Sequence, residues 1–293
     1  MLIESFLKYL ELEKAYSDKT IVSYRNDLLQ FERFFKEVDE NLDFLVVDSD
    51  VIRMWIVSLM DQKYTSTSVN RKLSSLRSFY RFLLRKRMVK ADPLLKVNGP
   101  KNKKKLPSFL REKDMDRLLD EVSYTGDFKG HRNRLILEVF YATGIRLSEL
   151  IGLNVEDVDF LNLQLKVTGK RDKQRIIPFG PELAEDLRVY LEYRNEACIT
   201  EEKALFLLDN GKRMYPGSVY NIVKRNLSKV VSLKKRSPHV LRHTFATSML
   251  NGQADLESVK ELLGHRSLTT TEIYTHTTFE ELKKVYEQAH PRA

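Results

Sequence analysis

Cysteine is almost absent from these 293 residues: Cys198 stands alone. A single thiol allows no intramolecular disulfide and no cysteine-built zinc site, and it suits a reducing compartment. Long apolar runs are missing too. The longest, Ala204 to Leu208, has five residues, where a membrane-spanning helix needs about 20. The amino terminus reads Met1-Leu2-Ile3-Glu4-Ser5, and so early a carboxylate with no small-residue cleavage site after it argues against a secretory leader. The expected location is the cytoplasm, with no membrane partner. No Gly-x-Gly and no Gly-x-x-x-x-Gly-Lys-Ser/Thr occurs, which excludes the usual dinucleotide fingerprint and the ATP-cradling loop. A Gly-x-Ser-x-Gly hydrolase elbow is also lacking.

What is abundant is charge, with a basic excess. Fifty Lys and Arg against 41 Asp and Glu give a net charge of +9, which points to a polyanionic partner. At 42% hydrophobic the chain can build packed cores, and its length suggests two domains.

Residues 1 to about 90 read as helices only. After Ser17, a residue suited to an N-cap, Ile21, Tyr24, Leu28, Phe31 and Phe35 recur at helical steps. Asp48 or Ser49 can cap a second stretch carrying Ile52, Trp55, Ile56 and Leu59, and a third runs from about Thr67 to Lys86 with Leu73, Leu76, Tyr80 and Leu83 on one face. Residues 91–107 are the expected interdomain linker: Lys96 to Pro107 holds five lysines, two prolines, one glycine and no acid. Residues 108–293 read as mainly helical, with one strand pair at Leu163 to Val167 and Arg175 to Phe179 around a polar turn.

Two acidic pairs, Asp48/Asp50 and Asp157/Asp159, could hold the metal ions of a nuclease. Each lies in a short polar segment beside a predicted helix, where capping is the ordinary use, so no metal site is expected. Four of the six histidines fall between positions 239 and 276. In His239-Val240-Leu241-Arg242-His243 the first His and the Arg share a helix face. A zinc protease would need Glu at 240, and Arg242 would repel a cation. An arginine fork beside an imidazole suits an anion instead. Upstream, Gly144-Ile145-Arg146-Leu147-Ser148-Glu149 sets a lone arginine at a helix start with Glu149 able to orient it. Downstream, Leu262-Leu263-Gly264-His265 precedes Tyr274 by nine residues from His265.

With those motifs in that order, the chain resembles the tyrosine recombinases, or phage integrase family, over essentially its whole length. The resemblance implies a two-domain DNA clamp, mainly α with a small antiparallel β hairpin or sheet in the C-terminal domain. The first domain would be a SAM-like, core-binding helical unit and the second the catalytic domain, ending in an exchange helix. It makes Arg146, Lys170, His239, Arg242 and His265 the catalytic set and Tyr274 the nucleophile. Lys170 in Thr168-Gly169-Lys170 matches the hairpin lysine that serves as acid, with Lys173 as a rival because Arg171 stands where the family often has glycine. Taken singly, Lys170 reads as a solvated turn residue, His265 as a helix-terminal histidine and Tyr274 as a core residue. Only the ordered set lifts them above those readings. His243 and His276 are read as structural or as supports of the catalytic set, since the family motif does not require them as the main acid or base.

The chemistry implied is cleavage and rejoining of DNA through a 3′-phosphotyrosine and a Holliday junction, with no metal, nucleotide or other cofactor. Arg71 to Lys90 contributes eight basic residues and no acidic one. Arg71, Ser74, Arg77 and Arg81 on one face are the candidate contacts to duplex DNA. The phrase Ser237 to Thr247 and the ending Ala289-His290-Pro291-Arg292-Ala293 resemble the Xer type, and Phe279 to Tyr286 leans toward its XerC-like branch. That type implies chromosome-dimer resolution at cell division on the bacterial nucleoid. Its partners would be homologous subunits in a tetramer on two sites, a second Xer paralogue and a septal DNA translocase. The alternatives are a mobile-element integrase and an inactive DNA-binding relative. Phe279, Leu282, Val285 and Tyr286 form a narrow apolar stripe; the resemblance implies that it docks in a neighbouring subunit, with folding back on its own domain as the alternative.

Overall fold

The computed structural model describes every residue except 103–108, 170–171, 199–200, 234 and 265–275, and the backbone alone of 276–278. The chain divides into two compact units, Met1–Lys105 and Leu106–Ala293.

The first unit is helical: α1 (Leu2–Leu12), α2 (Asp18–Val38), α3 (Ser49–Asp61) and α4 (Ser66–Arg85). The apolar stripes read from the sequence meet in one core, where Leu28, Phe31 and Phe35 of α2, Trp55 of α3, and Leu73, Leu76 and Leu83 of α4 are fully or almost fully buried. The rings of Phe31 and Trp55 lie 4.8 Å apart. Asp48 caps α3, its Oδ1 accepting from the backbone of Asp50 at 2.9 Å and Val51 at 3.0 Å, and Thr65 caps α4. Ser17 does precede α2, but its hydroxyl meets that of Thr20 rather than a backbone N–H. Much of the stretch expected as linker belongs to this unit. Leu94 and Val97 are buried, Arg77 donates to the Val97 carbonyl at 2.9 Å, and Asn70 donates to that of Pro100 at 2.8 Å.

In the second unit α5 (Glu112–Asp116) runs into a π turn at Arg117–Glu121, and α6 (Phe128–Thr143) follows. From Leu135 to Thr143 every side chain of α6 is buried, the mark of a core helix. Then come α7 (Leu147–Gly152), β1 (Val158–Asp159), β2 (Gln164–Thr168), β3 (Gln174–Pro178), α8 (Pro181–Ala197), α9 (Pro216–Val230), α10 (Pro238–Asn251), α11 (Leu256–Leu262) and α12 (His276–Ala289). The sheet is antiparallel in the order β1-β2-β3, with Leu165 opposite Ile177 and Val167 opposite Arg175. The pair β2 and β3 matches the expected hairpin to within a residue at each end; β1 is too short to carry a period. Asp157 and Asp159 serve the backbone, accepting from the N–H of Asn154 and from those of Leu161 and Asn162.

In the single chain the final helix takes the second of the two expected placements. Here α12 folds back on its own unit, with Leu282, Tyr286 and Ala289 buried. His290 lies 3.2 Å from the Tyr141 carbonyl through Nε2 and stacks on Tyr286. Two glycines make room. A Cβ on Gly252 would fall 2.2 Å from the Ala289 carbonyl oxygen, and one on Gly180 would fall 2.6 Å from Ala293. The physical reason is that the apolar stripe extends past Tyr286 to Ala289 and His290, enough to fill a groove against α6 and α10. Arg292 then pairs with Asp120 and with Asp116 at 3.5 Å.

Candidate active site

The turn after α6 begins the site. Gly144 ends that helix in the left-handed conformation at φ +59°, where a Cβ would also strike Phe245 at 2.4 Å, so glycine is required twice over. Two residues later Arg146 takes the N-cap position of α7. Glu149, at the third position of that helix, reaches back: Oε2 accepts from the Arg146 backbone N–H at 2.7 Å, and Oε1 accepts from Arg146 Nη1 at 2.7 Å. A second arginine completes the carboxylate. Arg175 of β3 donates from Nη1 and Nη2 to the two Glu149 oxygens, at 2.9 Å each.

Three guanidiniums also converge on one short stretch of backbone. Arg175 Nε donates to the carbonyl of Leu262 at 2.9 Å, Arg242 Nη2 to that of Leu263 at 2.6 Å, and Arg146 Nη2 to that of Gly264 at 3.1 Å. These carbonyls close α11, where the helix dipole places negative charge. Arg242 additionally donates to the Gly144 carbonyl, so α6, α7, β3, α10 and α11 are tied at one point.

Electrostatics follow from that crowding. Burial works to raise the Glu149 carboxyl, but the hydrogen bonds from Arg175 and from the Arg146 backbone, with the charge of Arg175, overcome it and hold the group down at about 2. Arg242 is brought down to about 10, first by burial and then by repulsion from Arg146 and Arg175, with Glu149 opposing. It keeps its charge at neutral pH. Arg146 remains about one-third exposed while Glu149 is buried, so one fork is presented to solvent on an anchored base.

Of the residues singled out in the sequence, the structure therefore brings together Arg146, Glu149 and Arg242. His239 is exposed in the first turn of α10, three positions before Arg242. His243 is partly buried, edge-on to Phe109. Lys173 is exposed at the hairpin end, its carbonyl accepting from Gly169 N–H at 2.8 Å. Lys170, His265 and Tyr274 lie outside the described residues. The residues just before two of them are described: a Cβ on Gly169 would stand 3.5 Å from Glu149 Oε1, and the Gly264 carbonyl accepts from Arg146. Arg175 was not singled out. Its signal is a charge at an inward position of an alternating strand, since β3 buries Arg175 and Ile177 and exposes Gln174.

In the first unit the candidate DNA contacts divide. Ser74 and Arg81 are exposed on α4. Arg71 is half exposed, but its guanidinium is held by Asp27 and by Ser23 Oγ at 2.7 Å, and Arg77, half-buried, donates from Nη2 to the Val97 carbonyl.

Comparison with known proteins places both units. Residues 3–87 match the N-terminal SAM-like domain of phage integrases, and residues 108–281 match the phage integrase family. The chain is 42% identical to the tyrosine recombinase XerC of Chlorobaculum parvum, over 99% of this chain and 94% of the relative. It is 37% identical to the tyrosine recombinase XerD of Staphylococcus aureus, over 100% and 99%. Among solved structures, the XerH site-specific recombinase bound to a palindromic difH substrate has the same fold, with a TM-score of 0.72 at 21% identity over 97% of this chain and 93% of that one.

Proposed function

This chain belongs to the phage integrase family as a tyrosine recombinase of the Xer type, and from that premise we propose that it cuts and rejoins duplex DNA at paired sites through a covalent 3′-phosphotyrosine on Tyr274. The observation that carries the reading is the pair Arg146 and Arg242, Arg146 anchored on Glu149 and the Gly264 carbonyl and Arg242 on the Leu263 carbonyl, ahead in sequence of His265 and Tyr274. In the attack, the Tyr274 oxygen bonds to phosphorus while the bond from phosphorus to the 5′-oxygen breaks. Negative charge grows on the non-bridging oxygens of the pentacoordinate state, where two guanidinium forks neutralise it. A free tyrosine has a pKa of about 10, so its proton must pass to a base during attack, and His239, exposed at the start of α10, is the assigned acceptor. Lys170 supplies the proton to the departing 5′-oxygen. His265 supports the same phosphate. The phosphotyrosine retains the energy of the broken ester, so rejoining needs no nucleotide, and the arginines take the part a metal would otherwise play.

Arg81 and Ser74 on α4, with Arg71 and Arg77 in support, are the proposed phosphate contacts of the first unit, Met1–Lys105, in which residues 1–90 would be the core-binding domain and residues from 91 onward lead to the catalytic domain, 108–293. In the cell the substrate would be chromosome dimers, resolved by four subunits on two sites through a Holliday junction on the cytoplasmic nucleoid. A second Xer paralogue and a septal translocase are the proposed partners. On DNA, α12 would leave the groove seen here and dock in a neighbouring subunit. The experiment is incubation with a nicked duplex in excess chelator and without nucleotide. Wild type is expected to give a protease-sensitive species linked to the DNA 3′ end, and Tyr274→Phe to bind the duplex without linking. An adduct with the Phe variant, or an obligatory magnesium requirement, refutes the proposal.

A further inference from the structure

Beside Glu149, Arg175 of β3 is a fully committed side chain. It is buried to 7% exposure and uses all three of its guanidinium nitrogens: Nη1 and Nη2 on the two oxygens of Glu149, and Nε on the Leu262 carbonyl. Such a cation is costly to bury and persists only where its partners are fixed. Gly264, in the left-handed region at φ +65°, passes so close that a Cβ there would stand 3.0 Å from Arg175 Nη1 and 3.2 Å from Cζ.

We propose that Arg175 is a positioning residue for strand cleavage, acting through Glu149 on Arg146 and through Leu262 on the chain that leads to His265. The proposal rests on the recombinase reading above. Without Arg175, Glu149 keeps Arg146 as partner but is free to rotate about its side-chain bonds, because the planar fork fixes both oxygens at once. Arg146 Nη1 then loses the fixed acceptor that orients it. The same change releases the first of the three consecutive carbonyls held by arginines, loosening the register of residues 262–264. A guanidinium that must meet a developing charge within a fraction of an ångström loses much of its effect when its support moves. Arg175 also connects the site to the hairpin, since it stands on β3, opposite Val167 and close after Lys170 in sequence.

A merely structural arginine and a positioning one differ in how they combine with Arg146. The test is a double-mutant cycle read as single-turnover adduct formation on a nicked duplex at saturating protein, with thermal melts and half-site affinities measured alongside. Arg175→Lys keeps a charge but cannot span two oxygens and a carbonyl. It is expected to slow adduct formation at least about tenfold, and less than about twofold when Arg146 is already Lys, because the two changes disable one unit. Half-site affinity is expected to stay within about twofold. If Arg175→Lys does not fold, Arg175→Gln, which retains an N–H donor without a buried charge, is carried through the same cycle. Additive penalties, or an unchanged rate for the folded single variant, overturn the role of Arg175 alone. A wild-type protein that forms no adduct overturns this proposal together with the recombinase reading on which it rests.

Discussion

In the first unit Asp27 of α2 is buried beneath Arg71, Lys72 and Ser75, three residues of α4. In the second, Glu149 of α7 is buried beneath Arg146 at its own helix start and Arg175 from the sheet, while a third arginine arrives from α10. Both are carboxylates ringed by cations, but they join different things. The Asp27 cluster bolts two neighbouring helices together, and its donors lie within one turn of a single helix. The Glu149 cluster collects five elements, and its arginines grip the backbone that ends α11. A knot between two helices can be exchanged for apolar packing with little loss of function. One that fixes several arginines from distant segments on one stretch of backbone suits an anion-binding site.

The difference can be broken from either side, and the largest effect is expected on stability in the first unit. Asp27→Ala leaves Lys72 nearly buried with its carboxylate gone, a loss of about 3 to 5 kcal/mol for a broken buried pair, read by urea denaturation of the full chain. A change below about 1 kcal/mol would remove Asp27 as the bolt. In the second unit the expected loss is catalytic. Arg242→Lys cannot hold the Gly144 and Leu263 carbonyls together, and adduct formation is expected to fall about a hundredfold or more, with half-site binding retained in a gel-shift assay. Near-normal cleavage would place the phosphate elsewhere.

A third handle lies at the chain end. His290 is held down at about 4, by burial before any other cause, against an ordinary 6.5. The unfolded chain therefore binds this proton more readily than the folded one. The stability His290 contributes is complete above about pH 6.5 and is lost as pH falls toward 4, on the order of 2 to 3 kcal/mol. Melting temperatures of wild type and His290→Gln between about pH 7.5 and about pH 4.5 are expected to show the steeper acid decline for wild type. Parallel curves would detach α12 from this histidine. The smallest effect concerns DNA. Arg81→Ala is expected to weaken duplex binding a few-fold and to shallow its salt dependence by about one counterion without lowering the melting temperature. Arg71→Ala is expected to lower both binding and melting temperature, because Asp27 holds that guanidinium. Equal melting losses in the two variants would erase the distinction.

The comparison also explains what could be read from the residues. Within one helix, spacing gives the face directly, so Leu73, Leu76 and Leu83 were recognisable as core and Arg71 and Arg81 as the opposite side. The same logic gives no sign that Arg77 and Arg71 also serve the fold, through Val97 and Asp27, which lie 20 and 44 positions away. Arg146 and Arg242 were legible as a pair only because the whole set of motifs resembles one family. Their neighbouring anchors on Leu263 and Gly264 join segments up to 118 positions apart, which no periodicity encodes. Arg175 was missed for the same reason: an inward charge on a short strand has meaning only once Glu149 is seen opposite it. The folding back of α12 depended on Gly180 and Gly252, whose small size matters only where Ala289 and Ala293 come to rest.

The most direct measurement is the single-turnover rate of covalent adduct formation by Glu149→Gln on a nicked duplex at saturating protein. The amide keeps the shape but removes the charge that both Arg146 and Arg175 grip. If the Glu149 cluster exists to aim arginines at a phosphate, the rate falls at least about tenfold while half-site affinity stays within about twofold of wild type. An unchanged rate in a folded variant would contradict that purpose and return Glu149 to the same structural standing as Asp27.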